Sequence, residues 1–134
     1  MKRIKDFLHR LLNGTKVKEG FDNLPDGLCY FTDRGEVQLC NRCMYELFQQ
    51  LWGKDVQTLD ELHIALEQSG KRLGENSTVY VLDHERAWDY TERKIIAQNG
   101  RTYTETMFFD VTDIYQRRNE ILRQTRELEM VSRN

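Results

Sequence analysis

The chain has 134 residues, 31% charged and 39% hydrophobic, with a formal net charge of -2 and a pI near 5.9. That length fits one domain with extensions at its two ends, and the balance of residues is that of a soluble globular chain. The slight acidity gives no general field toward phosphate, so nucleic-acid binding is not expected. No apolar run reaches the ~18 to 20 residues that span a bilayer and no signal-peptide pattern appears, which points to the cytoplasm.

In Lys2 to Leu12, Ile4, Phe7, Leu8, Leu11 and Leu12 fall at helical spacing among basic residues, which predicts a short amphipathic helix ended by Asn13-Gly14. Such a helix packs on its own domain or on a dimer partner more often than on a membrane. A polar stretch leads to Asp22-Asn23-Leu24-Pro25-Asp26-Gly27, where proline and glycine force a turn. Leu28 to Thr32 and Glu36 to Cys40 read as strands joined through Asp33-Arg34-Gly35, and Val37 and Leu39 alternate with Glu36 and Gln38.

Asn41 stands at an N-cap position before Met44, Leu47, Phe48 and Leu51, and Gly53 ends that helix. Thr58-Leu59-Asp60-Glu61 matches a capping box for a second helix, on which Leu59, Leu62, His63 and Leu66 share one face. Gly70 and Gly74 bracket a loop expected to be exposed and mobile. Thr78 to Leu82, roughly Ala87 to Ala97, and Thr102 to Phe109 then read as three strands, the last two linked through Asn99-Gly100. Two strands, two helices and three strands predict an α+β fold, with a five-stranded antiparallel sheet and helices on one face.

These elements and their punctuation resemble a PAS domain over about residues 20 to 113. The resemblance rests on Asp22 to Gly27, on Asp33-Arg34-Gly35, on Asn41 opening a helix, on the Trp88 strand and on Asn99 to Tyr103. It rests also on Asp110-Val111-Thr112, similar to the Asp-Ile/Val-Thr signature that precedes a signalling helix. The whole is similar to the sensory segment of a bacterial sensor histidine kinase. The resemblance implies a sensory or dimerising module, a pocket for a small-molecule ligand, and an output domain C-terminal to this segment.

On that view residues 1–19 are an N-terminal helix and linker, 20–113 the sensor domain and 114–134 the start of a coiled-coil signalling helix. Ile114, Ile121 and Leu128 recur every seven residues, the seam of a homodimer, while Arg117, Gln124 and Val131 in the companion positions are mostly polar. A weak coil suits a switch between two arrangements. Ser132-Arg133-Asn134 offers no helix stop, which suggests a longer protein. Asp110 and Thr112 are expected to couple the last strand to this helix, Asp110 accepting hydrogen bonds or an Arg/Lys partner and Thr112 capping through its hydroxyl.

Leu47, Leu51, His63, Trp88 and Tyr90 are the candidate pocket lining. No bound cofactor is expected; the alternative is haem through His63, since some gas-sensing PAS domains use a helical histidine in this half of the fold. Cys40-Asn41-Arg42-Cys43 is a C-x-x-C, but only Cys29 could add a third thiolate to a zinc site, so the cysteines read as small apolar residues and no metal is expected. The Asn-Arg-Cys letters differ in place and continuation from the flavin-reactive motif of light-sensing LOV domains. His84-Glu85-Arg86 reads as a turn between strands rather than a phosphoacceptor box. No nucleophile with a base, carboxylate pair or phosphate loop is assignable, so no catalytic residue is expected. A ligand-free dimerisation module is the rival reading, with a haem or thiol sensor behind it.

Overall fold

The computed structural model describes residues 15–82 and 86–133. The predicted helix at Lys2 to Leu12 and most of the turn at His84 lie outside those residues. In chain order the elements are α1 (Thr15–Asp22), β1 (Gly27–Thr32), β2 (Val37–Cys40), α2 (Arg42–Trp52), α3 (Leu59–Ser69), β3 (Lys71–Arg72), β4 (Val79–Leu82), β5 (Arg86–Ile96), β6 (Thr102–Asp110) and α4 (Thr112–Arg133). All strand pairs are antiparallel, in the order β2-β1-β6-β5-β4-β3. The first and last long strands are thus neighbours at the middle of the sheet, which brings the start of α4 back onto the domain.

The sheet has six strands rather than five. The added one is Lys71–Arg72, in the segment expected to be a mobile loop. Nothing in two charged residues announces a strand; they join the sheet because Lys71 and Arg72 fall opposite Val81 and Tyr80. The β1–β2 and β5–β6 turns each have the glycine that their backbones need, Gly35 at φ 78° and Gly100 at φ 80°.

Asn41 starts α2 by accepting the Met44 amide at 2.9 Å, and the Gly53 amide closes the helix on the Gln49 carbonyl. Asn41 is wholly buried because it also ties two strand ends: its Oδ1 takes the Leu28 amide at 3.0 Å and its Nδ2 donates to the Asp26 carbonyl at 2.8 Å. Thr58 caps α3 through the Glu61 amide at 3.2 Å, while the Glu61 carboxylate reaches back to the Gln57 amide, one residue before the cap. α2 buries Met44, Leu47 and Phe48, each worth on the order of 1.5–3 kcal/mol when fully withdrawn from water.

Those helices cover one face of the sheet, where Cys29, Phe31, Leu82, Trp88, Tyr90 and Phe108 meet α2 and α3 in one apolar cluster. The opposite face carries a second cluster of Leu28, Tyr30, Ile95, Ala97 and Tyr103, on which Phe21 of α1 packs. So the two long internal helices lie on one face as expected, and a short helix anchors to the other. The sequence signal for α1 is faint, since Thr15 to Asp22 has a glycine in its interior and one large aromatic residue.

Candidate functional site

The expected pocket residues separate into a packed interior and an edge. Leu47, Trp88 and Tyr90 are buried together with Phe108, and Leu51 packs partly buried against them. Tyr90 and Phe108 have ring centroids 4.9 Å apart, and Tyr80 meets Tyr90 edge-on at 6.3 Å. One polar atom in this interior is unmatched: Trp88 Nε1 is buried with no hydrogen-bond partner among the described residues. A buried N–H in that position costs about 1–3 kcal/mol until an acceptor meets it.

His63 is at the edge, its side chain 43% exposed, with Nε2 2.6 Å from Glu92 Oε2. The same carboxylate oxygen accepts the Tyr90 hydroxyl at 2.7 Å, so α3 is tied to β5 through Glu92. Burial, then the bond to Glu92 and its charge, pushes the Tyr90 phenol well above its usual range and keeps it a donor. His63 is engaged at Nε2 by the Glu92 carboxylate, which holds the ring at the edge of the domain rather than among the packed aromatic residues. Its position on the apolar stripe of the helix hid the carboxylate opposite, which comes from a strand 29 residues away.

The residues expected to couple strand and helix, by contrast, come together. Asp110 Oδ1 accepts the Thr112 amide at 2.9 Å, and Arg86 Nη2 reaches Asp110 Oδ2 at 3.3 Å. Burial raises the Asp110 carboxyl, but the hydrogen bonds from Thr112 and Arg86 and the Arg86 charge outweigh it and hold the group below its usual range. Thr112 plays a different part from the expected helix cap. Its hydroxyl accepts the Ala87 amide at 3.1 Å and lies 3.3 Å from the Ala87 carbonyl, while the Val111 amide donates to that carbonyl at 2.9 Å. Thr112 therefore ties α4 to β5, and Asp110 supplies the acceptor for the first helical amide. A cleft of about 550 Å³ opens beside this joint, lined by Arg86, Asp110, Val111, Thr112, Asp113 and Ile114.

These are the features that the Asp110-Val111-Thr112 resemblance implies: an antiparallel sheet, helices over its one face, and a strand end turning directly into a long helix. The fold is PAS-like. No protein-family model and no curated protein matches the chain. Among solved structures it is similar to the PAS domain of Bordetella pertussis BvgS, at 19% identity and a TM-score of 0.44, with 95% of this chain and 99% of that one covered. It is also similar to a chain of the E. coli DhaR(N)-DhaL complex, at 16% identity and a TM-score of 0.43; 82% of this chain is covered and only 39% of that one.

Beyond the PAS-like core, α4 projects with the apolar residues that recur every seven positions exposed. Ile114, Ile121 and Leu128 are 70%, 62% and 70% exposed. Arg123 is held within the helix by Glu120 and Glu127, three residues before it and four after. No described helix is long and apolar enough to cross a membrane. Among the described residues no group of three or more His, Cys, Asp or Glu is placed to hold a metal ion. Cys43 donates to the Pro25 carbonyl at 3.2 Å, and burial, then the nearby Asp26 and Glu46, raises its thiol, so the start of α2 does not activate it.

Proposed function

We propose that the chain is the sensory module of a signal-transduction protein, a histidine kinase in the form we favour. It acts in the cytoplasm as a homodimer and hands a change in the sheet to a C-terminal output domain through α4. The observation that carries this reading is the joint. Thr112 and Val111 both bond to Ala87, so a shift of β5 relative to β6 moves the first turn of an otherwise exposed helix. Residues 114–134 are the output arm and 20–113 the sensor on this reading.

The buried, unpartnered Trp88 Nε1 favours a small ligand that brings an acceptor atom into the interior. The close packing of Tyr90 on Phe108 favours the rival, a ligand-free dimerisation module. Native mass spectrometry of the purified chain separates them, since a ligand co-purifying with wild type and lost from Trp88→Phe supports sensing.

Two further measurements bear on the output. Sedimentation of the chain is expected to show a dimer that Ile121→Asn converts to a monomer with unchanged sheet content; a wild-type monomer at high concentration would sink the seam. In the full-length protein, Asp110→Ala with Thr112→Val is expected to leave the fold intact and abolish regulation of the output. Normal regulation in that double variant would remove the joint from the mechanism.

A further inference from the structure

Cys29 on β1 and Cys40 on β2 are directly opposite each other in an antiparallel pair. The flanking hydrogen bond runs from the Asn41 amide to the Leu28 carbonyl, so Leu28 and Asn41 occupy the hydrogen-bonded position and the two cysteines the non-hydrogen-bonded one. In that position Cα atoms are about 4.5 Å apart and side chains converge on one face, inside the ~4.4–6.8 Å span that a disulfide bridges. Both residues belong to the cluster beneath α2, Cys29 wholly buried and Cys40 at its partly exposed border. The neighbouring Cys40 thiol, ahead of burial, raises the Cys29 thiol, and Cys40 Sγ also lies 3.7 Å from the Asn41 carbonyl.

We infer that Cys29 and Cys40 are a redox pair that closes to an intramolecular disulfide when the chain meets a hydroperoxide. Cys40, the accessible member, reacts first: its sulfur takes the distal peroxide oxygen, the O–O bond breaks, and an alcohol or water leaves with the thiol proton. The Cys29 sulfur then attacks the Cys40 sulfur, the S–S bond forms as S–O breaks, and the departing hydroxide takes the Cys29 proton as water. Two thiols lose two electrons and the peroxide gains them. Cys43, the other half of the C-x-x-C, stays out because its sulfur is engaged by the Pro25 carbonyl at 3.2 Å. The link pins edge strand β2 to β1 one residue before Asn41, the side chain that ties both strand ends to α2. The proposal does not depend on the sensory reading.

Peptide mapping tests it, because Arg34 and Arg42 let trypsin place Cys29, Cys40 and Cys43 on separate peptides. The folded chain is treated with dilute hydrogen peroxide, alkylated, and digested without reductant. The expected product joins the Cys29 and Cys40 peptides with the loss of two hydrogens, is undone by dithiothreitol, and leaves Cys43 alkylated. A Cys40–Cys43 link, a link between chains, or Cys40 sulfinic acid beside an unreacted Cys29 overturns the assignment. Cys43→Ser is expected to leave the yield unchanged within about twofold, as a residue outside the exchange should. Cys29→Ala is expected to divert Cys40 to higher oxides; if that variant folds poorly, the wild-type map decides alone.

Discussion

The β5–β6 ribbon carries an arginine–carboxylate pair at each end, and the two differ in everything except their chemistry. Near the hairpin turn, Arg93 Nε meets Glu105 Oε1 at 2.7 Å, directly across the strands, and Glu105 is only 2% exposed. Its other oxygen accepts the hydroxyl of the buried Tyr30 at 2.9 Å, beneath Phe21. At the opposite end, Arg86 and Asp110 are 3.3 Å apart with side chains 43% and 47% exposed. Water competes for both groups there, so little is lost when the pair opens. Burial makes the first pair part of the fold, because a stranded Glu105 has no solvent to turn to. Exposure makes the second pair an adjustable contact, as the proposed joint requires.

Arg93→Met is the most severe test of that contrast. It is expected to cost about 2–3 kcal/mol in urea denaturation, below the ~3–5 kcal/mol of a fully buried pair because Arg93 is half-exposed. Adding Glu105→Gln, which keeps an acceptor for Tyr30, should restore more than half; no restoration would mean that the stranded charge is not the cost. Thr112→Val comes next, at about 1 kcal/mol for a side chain of nearly the same shape without its hydrogen bonds. Hydrogen exchange should quicken at Ala87 and Thr112 while the amide of Cys29 keeps its protection. Equal loosening at both places would erase the distinction between joint and core.

The smallest effect belongs to Asp110. Its carboxyl is held below the ordinary 3.8 in the folded chain, so its contribution is complete above that value and disappears as pH falls through the lower, folded one. For so exposed a group the contribution is under about 1 kcal/mol. The Thr112 amide shift followed by NMR in acid should report the change, and raising salt should weaken Arg86–Asp110 while leaving Arg93–Glu105 in place. A salt response of equal size at both ends would contradict the burial argument.

Much of this arrangement is legible from residues alone. Asn41, Thr58 and Gly53 mark helix ends through short-range chemistry, and Asn99-Gly100 marks a hairpin, but a two-residue Asn-Gly turn would set Arg93 opposite Thr106, whereas the loop closes between Ala97 and Arg101 and sets it opposite Glu105. The extra loop residue is why the buried Arg93–Glu105 pair is not legible from the sequence. His63 is a second case: its helical spacing is apolar, yet a carboxylate from β5 draws the ring to the edge. Thr112 looks like a cap by its place before a helix, and only the neighbouring strand supplies the Ala87 amide that takes its hydroxyl instead.

The sequence by itself determined the long strands, the two internal helices with their caps, and the place where the last strand becomes a helix, because each depends on residues within a few positions. Tertiary structure decided which side chains meet. Phe21 gives α1 a second face of the sheet to pack on, and Lys71-Arg72 becomes a strand only because β4 offers an edge. The cysteines make the point most directly. Phe31 pairs with Val37, and continuing that register would set Cys40 against Leu28. A shift between Tyr30 and Phe31 moves the pairing by one residue and sets Cys40 against Cys29 instead. That irregularity is a feature of the strand pairing, and the inferred redox pair exists because of it.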